Sequence, residues 1–119
     1  MLRVSLVCAA PTAEVVAGRA TDGDAGVLRL ADEHPNTPIL IDECGIGTDD
    51  DEWRATYLRE CLDEVSRALA DGIDLRGFFH WTAVDNYEWL HGYDVQFGLF
   101  DRDRNARDSI EVLENAIRG

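Results

Sequence analysis

Residues 38–81 read PILIDECGIGTDDDEWRATYLRECLDEVSRALADGIDLRGFFHW. The stretch opens on an apolar run, Pro38 to Ile41, that ends in the carboxylates Asp42 and Glu43. A short continuous run rich in isoleucine suits a strand buried on both faces, as in a parallel sheet. The acidic residues that follow favour a helix start, because they face the positive end of the helix dipole, with Thr48 or Asp49 as N-cap. Trp53, Tyr57, Cys61, Val65 and Leu69 then recur every four residues, with Leu58 and Leu62 alongside, and predict one buried stripe. Gly72 is placed to stop that helix. A second buried strand is predicted from Leu75 to Trp81. Strand, helix and strand within about 44 residues make a βαβ unit with parallel strands and a right-handed crossover.

Working outward, residues 11–24, PTAEVVAGRATDGD, are small, polar and punctuated by glycine, which reads as loop. Residues 1–25 are accordingly expected to be a loop-rich N-terminal segment, with the start, MLRVSLVCAAP, either a buried strand or a frayed end. A short helix should follow, with Val27, Leu28, Leu30 and Ala31 on its apolar face and Pro35 at its end. Beyond the second strand come the aromatic segment HWTAVDNYEWLHGY, His80 to Tyr93, the short run VQFGLFD and the turn RDRN. Ser109 or Asp108 should cap a last helix that turns Ile110, Leu113 and Ile117 inward.

With 119 residues the chain holds one domain, and 45% hydrophobic and 29% charged residues are ordinary for a globular protein. The charge balance is not ordinary. All 11 basic residues are arginine, against 24 acidic ones, for a net charge of −13. That field repels nucleic acid and anionic membrane surfaces, so neither is expected as a partner. The lysine-free composition fits salt adaptation and a GC-rich genome equally. Three cysteines without a CxxC pair point to reduced thiols and a cytoplasmic protein. No segment approaches the ~20 apolar residues of a membrane-spanning helix.

Glu43 ends the first strand, and Glu88 lies just past the end of the second. In parallel α/β folds that sheet edge is where ligands bind and catalytic groups gather. Two carboxylates there suit acid–base or nucleophilic work on a neutral polar substrate. Indoles nearby offer flat apolar faces to sugar C–H groups and an N–H to a hydroxyl. His80, His91 and Cys44 lack any metal-ligand spacing, so no metal and no cofactor are expected. Asp85 and Asn86 are expected to fix the loop through side-chain-to-backbone bonds, while Tyr87 and Tyr93 read as structural.

These residues carry a resemblance. PILIDECGIGT is similar to the signature of glycoside hydrolase family 1, the β-glucosidases and relatives, in which an apolar strand ends in Glu-Asn-Gly. FFHWTAVDNYEWLHGYDVQFGL resembles the same family's Trp-Ser-x-x-Asp-Asn-Phe/Tyr-Glu-Trp-x-x-Gly-Tyr segment followed by Arg-Phe-Gly-Leu. The spacing of the two blocks agrees, and the likeness covers about residues 26–113. The resemblance implies that residues 26–119 are the C-terminal βαβα portion of a (β/α)8 TIM barrel, two of its eight strands. It implies a retaining β-glycosidase acting on terminal β-linked sugars. Glu43 would be the nucleophile, Glu88 and Trp89 would bind sugar hydroxyls, and Trp81 would be a wall of the sugar site.

The departures are specific. Asp42 stands where the family has a small or apolar residue, Cys44 replaces the signature Asn, and Gln96 replaces the usual Arg. On a regular strand neighbours point to opposite faces, so contact between Asp42 and Glu43 is not expected. A complete barrel needs ~250 residues, and the family's acid/base Asn-Glu-Pro motif does not occur here. Retention requires two carboxyl groups ~5 Å apart across the scissile bond, and the sequence supplies one. The expectation is therefore a C-terminal fragment without stand-alone activity, or a split-barrel half that needs a second chain for the rest of the barrel. The rivals are a non-catalytic remnant that binds sugar weakly and an unrelated small α/β interaction domain.

Overall fold

The computed structural model describes residues 1–9 and 20–119. In chain order it has β1 (Leu2–Ala9), α1 (Ala20–Glu33), β2 (Ile39–Gly47), α2 (Asp51–Ala70), β3 (Leu75–His80) and α3 (Ile110–Arg118). The strands form one sheet in the order β1-β2-β3, parallel at both junctions. Among the described residues there are three strands, the two of the βαβ unit and, of the two readings given for the start, a strand there. LRVSLVCA forms it, pairing Leu2 with Ile39 through to Ala9 with Gly47. The helix expected near Val27 begins at Ala20, inside the predicted loop, so the loop reading of residues 11–24 is corrected at its C-terminal end. The remainder of that loop, residues 11–19, lies outside the described residues. Among the described residues no helix is long and apolar enough to cross a membrane.

The core sits between the sheet and helices α1 and α2. Val27, Ile39, Ile41, Cys44, Ile46 and Tyr57 are buried together, with Leu30, Trp53, Cys61, Val65, Leu75 and Phe78 packed against them. The pleat of β2 explains the list, since Ile39 and Ile41 face the helices two residues apart. Cys44 and Ile46 continue the series three residues later, because the strand is irregular between Ile41 and Cys44. That irregularity falls on Asp42 and Glu43, so regular alternation cannot be assumed for them. On the uncovered face Leu40 lies against Gly77, where an added Cβ would come within 2.5 Å of Leu40 Cδ1. Phe79, on the same side of β3 as Gly77, is 57% exposed, so β3 is not buried on both faces as predicted.

The ends of α2 follow capping chemistry. The N-cap is Asp50, one residue later than expected, and its carboxylate accepts the Trp53 N–H at 3.0 Å. Gly72 follows the C-cap with φ +83°, and the Gly72 and Ile73 amides bond back to Leu69 and Ala68, a Schellman stop as predicted. Leu69, however, is 50% exposed, and Ala68 is buried instead. A spacing of four slips roughly 40° per step against the helical period, so the stripe rotates off the core by its fourth step. Ile117 of α3 is likewise 85% exposed, and no residue of that helix is buried.

Candidate functional site

β2 and β3 bring the backbones of two of the four predicted site residues close together, although Glu43 stands in the middle of β2 and does not end it as expected. Cys44 pairs with His80 in the sheet, and the Trp81 N–H donates to the Cys44 carbonyl at 2.9 Å. Glu43 therefore lies one residue from the backbone that holds Trp81. The approach is close enough to require glycine, because a Cβ on Gly45 would stand 1.9 Å from the Trp81 carbonyl oxygen. Glu43 and Trp81 are both half-buried.

From Trp81 the chain leaves on a long loop whose two limbs are sewn together. Leu99 N donates to the Thr82 carbonyl at 3.2 Å, Phe100 N to Ala83 at 2.9 Å, and Asp85 N to Phe100 at 3.1 Å. Asp85 locks the pairing as the loop reading expected. Its carboxylate accepts the Gly98 N–H at 2.7 Å and both terminal nitrogens of Arg107, at 3.2 and 2.7 Å. Asn86 does not do the same, since its Oδ1 is buried without a partner.

Farther out, Glu88 and Gly92 close a tight turn through reciprocal backbone bonds of 2.7 Å. Trp89 and Leu90 form its tip, 93% and 91% exposed. Within the described residues Trp89 consequently builds no wall with Trp81. Tyr87 and Tyr93 meet edge to face with ring centroids 5.3 Å apart, and the Arg102 guanidinium lies 4.0 Å over the Tyr93 ring.

Buried side-chain atoms lacking partners gather on these segments: Asp42 Oδ1, His80 Nδ1, Asn86 Oδ1 and Glu88 Oε1. Such groups are uncommon in folded proteins. His80 contacts the Phe97 carbonyl through Nε2 at 3.2 Å. Burial holds its pKa below the usual value, with nearby Arg54 acting the same way, so the ring is a neutral hydrogen-bonding group near pH 7. Among the described residues no group of three His, Cys, Asp or Glu side chains is arranged to hold a metal ion.

Sequence reasoning missed the framework beneath the loop. Arg54 is fully buried in the first turn of α2. It donates to Asp51 at 2.5 Å, to the Thr48 carbonyl, and to the Gln96 carbonyl at 2.9 Å. Gln96 Oε1 in turn accepts from Arg107 at 2.8 Å. Burial alone would raise the Asp51 carboxyl, but bonds from Ser109 and Arg54 hold it below its usual range. Ser109 is thus committed to Asp51, through N–H at 2.9 Å and hydroxyl at 2.7 Å, and does not cap α3 with its side chain. An arginine between Trp53 and Tyr57 on an otherwise apolar stripe was the one signal in the sequence. Nothing in RDRNARD distinguishes Arg107.

Comparison with known proteins places this geometry. The sequence model of glycosyl hydrolase family 1 matches residues 20–117. A bifunctional β-D-glucosidase/β-D-fucosidase of Bifidobacterium breve is 36% identical over 98 residues, covering 71% of this chain and 21% of that protein. Human lactase/phlorizin hydrolase is 41% identical over 100 residues, covering 74% of this chain and 5% of its own length. The crystal structure of a family 1 β-glucosidase from Exiguobacterium antarcticum superposes with a TM-score of 0.77 at 30% identity, covering 83% of this chain and 25% of that one. The chain thus spans about a fifth or less of these two curated relatives.

Proposed function

The chain belongs to glycosyl hydrolase family 1, as a parallel α/β piece of its (β/α)8 barrel, and on that premise we propose that it carries the nucleophile half of a retaining β-glycosidase site. Glu43 attacks the anomeric carbon of a terminal β-linked sugar and forms the glycosyl-enzyme intermediate that water then hydrolyses. Trp81 offers a face to the ring, while Glu88 and Trp89 take sugar hydroxyls. The observation that carries this reading is the backbone bond from Trp81 to Cys44, which sets Trp81 one residue from Glu43 on segments that also carry buried polar atoms without partners. A neutral polyol supplies donors to such acceptors without the cost of burying a counter-charge.

The acid/base carboxyl comes from elsewhere in the barrel, on strands that these residues do not supply. Exposure of the Phe79 ring on the uncovered face of the sheet supports the same view, because further barrel chain has an apolar surface there to pack on. A polypeptide supplying the remaining strands is the partner this reading requires, and a carbohydrate is its substrate.

Aryl β-glucoside hydrolysis tests the proposal. The chain alone should show no turnover, and mixing it with a polypeptide supplying the earlier strands and an Asn-Glu-Pro motif should restore it. The Glu43→Gln chain should restore none. Turnover by the isolated chain that disappears in Glu43→Gln would refute the split of catalytic groups. Restoration that survives Glu43→Gln would refute the nucleophile.

A further inference from the structure

Tyr57 and Cys61 lie one turn apart on α2, so they share a face, and that face packs onto the β2 strand at Cys44. Cys44 is fully buried, and its Sγ lies 4.0 Å from the Tyr57 hydroxyl. Cys61 is half-buried at the edge of the same cluster. Both thiols are free. The glycosidase chemistry proposed above uses neither of them, yet Cys44 directly follows Glu43.

We propose that Cys44 and Cys61 are an oxidisable pair that closes to a disulfide between β2 and α2 on exchange with a low-molecular-weight disulfide. The Cys61 thiolate attacks one sulfur of the reagent, breaking its S–S bond and releasing one thiolate. Cys44 then gives up its proton to solvent base and attacks the Cys61 sulfur, expelling the second thiolate. Two protein thiols are oxidised, one reagent disulfide is reduced to two thiols, and no other co-reactant is required.

The order of attack follows from position and charge. Cys61 is the more exposed of the two residues, since Cys44 is fully buried. The neighbouring Cys44 thiol holds the Cys61 pKa below its ordinary value, although burial opposes this. The same contact, together with burial, pushes Cys44 up. The attacking species is the thiolate, so Cys61 reacts first. Once Cys61 is capped it no longer bears charge, and burial and the surrounding groups then govern Cys44. Closure should therefore be slower than capping, and the mixed disulfide on Cys61 should be seen in passing. The crosslink would tie the strand to the helix one residue after Glu43. That consequence rests on the reading of Glu43 given above, whereas the crosslink does not.

The experiment uses the Cys8→Ser chain, so that only these two thiols remain, with oxidised glutathione as the probe and peptide mass mapping as the readout. The folded chain should pass through a Cys61 adduct and end with the Cys44 and Cys61 peptides linked, lighter by two hydrogens. Cys44→Ser should stop at the Cys61 adduct, and Cys61→Ser should slow modification of Cys44 by ~10-fold or more. Circular dichroism confirms that each variant is folded before it is scored. The proposal is overturned by a Cys61 adduct that never resolves, by no reaction of either thiol in the folded chain, or by a link formed only in denaturant. Equal reactivity of Cys44 with and without Cys61 also overturns it. None of these readouts depends on glycosidase activity.

Discussion

Gly45 shows how tightly a single residue constrains the candidate site. The atom its missing Cβ would strike is the Trp81 backbone oxygen at 1.9 Å, which cannot swing aside as a flexible side chain would. Gly45→Ala should therefore destabilise the fold by about 1–3 kcal/mol or more, read from urea unfolding midpoints. Gly72→Ala, at an exposed helix stop with open space around it, should cost only its left-handed backbone conformation. An equal loss in the two variants would argue against the close approach of β2 and Trp81. His80 supplies a pH test. Its pKa is depressed in the folded chain, chiefly by burial. The unfolded chain thus binds this proton more tightly, and stability rises with pH where it does so. The contribution is present above the unfolded value of about 6.5 and is lost as pH falls toward the folded one. Thermal midpoints should drop between about pH 7.5 and 5.5, and His80→Gln should flatten that part of the profile. A profile unchanged by the substitution would show that His80 is not the group responsible.

At the scale of elements, the long loop and α3 are held by polar joints more than by apolar packing. No residue of α3 is buried, yet Ser109 before it is fully buried against Asp51. Asp51 also meets Arg54, whose guanidinium reaches the Thr48 and Gln96 carbonyls. Arg54→Ala removes the donor for all three and leaves Asp51 without its cation. Losing one partner of a buried pair costs about 3–5 kcal/mol, and Arg54→Ala should fall near the lower end because Asp51 is 27% exposed. Asp51→Ala should speed amide hydrogen exchange in α3 well before it does so in α1, which does not touch this joint. Uniform acceleration across both helices would mean that α3 is held otherwise. The same logic explains why Ser109 does not cap α3: a half-buried carboxylate offered it two bonds, and a cap offers one.

The molecule as a whole carries −13 charges on 119 residues and leaves apolar side chains such as Phe79, Leu90 and Ile117 in solvent. Self-repulsion opposes the compact state, and salt screens it. The thermal midpoint of the isolated chain should therefore rise along a potassium chloride series, and a midpoint indifferent to salt would contradict this reading. Local regularities made much of the architecture legible beforehand. The apolar run at Ile39, the acid-rich start and Gly72 stop of α2, and the aromatic block from Trp81 each depend on neighbours within a few positions of the chain. They revealed the βαβ unit and the family. Contacts distant in sequence were not legible. The start of the chain left a strand and a frayed end both open, and pairing of Leu2–Ala9 with β2 decides for the strand. The irregularity at Asp42 and Glu43 arises from matching β2 to two strands at once. Arg54 and Arg107 are ordinary cations in the sequence, and their burial is set by carbonyls and carboxylates as far as 42 residues away. Periodicity reports which face of an element is apolar, whereas the partner of a buried charge is known only once the chain has folded back on itself.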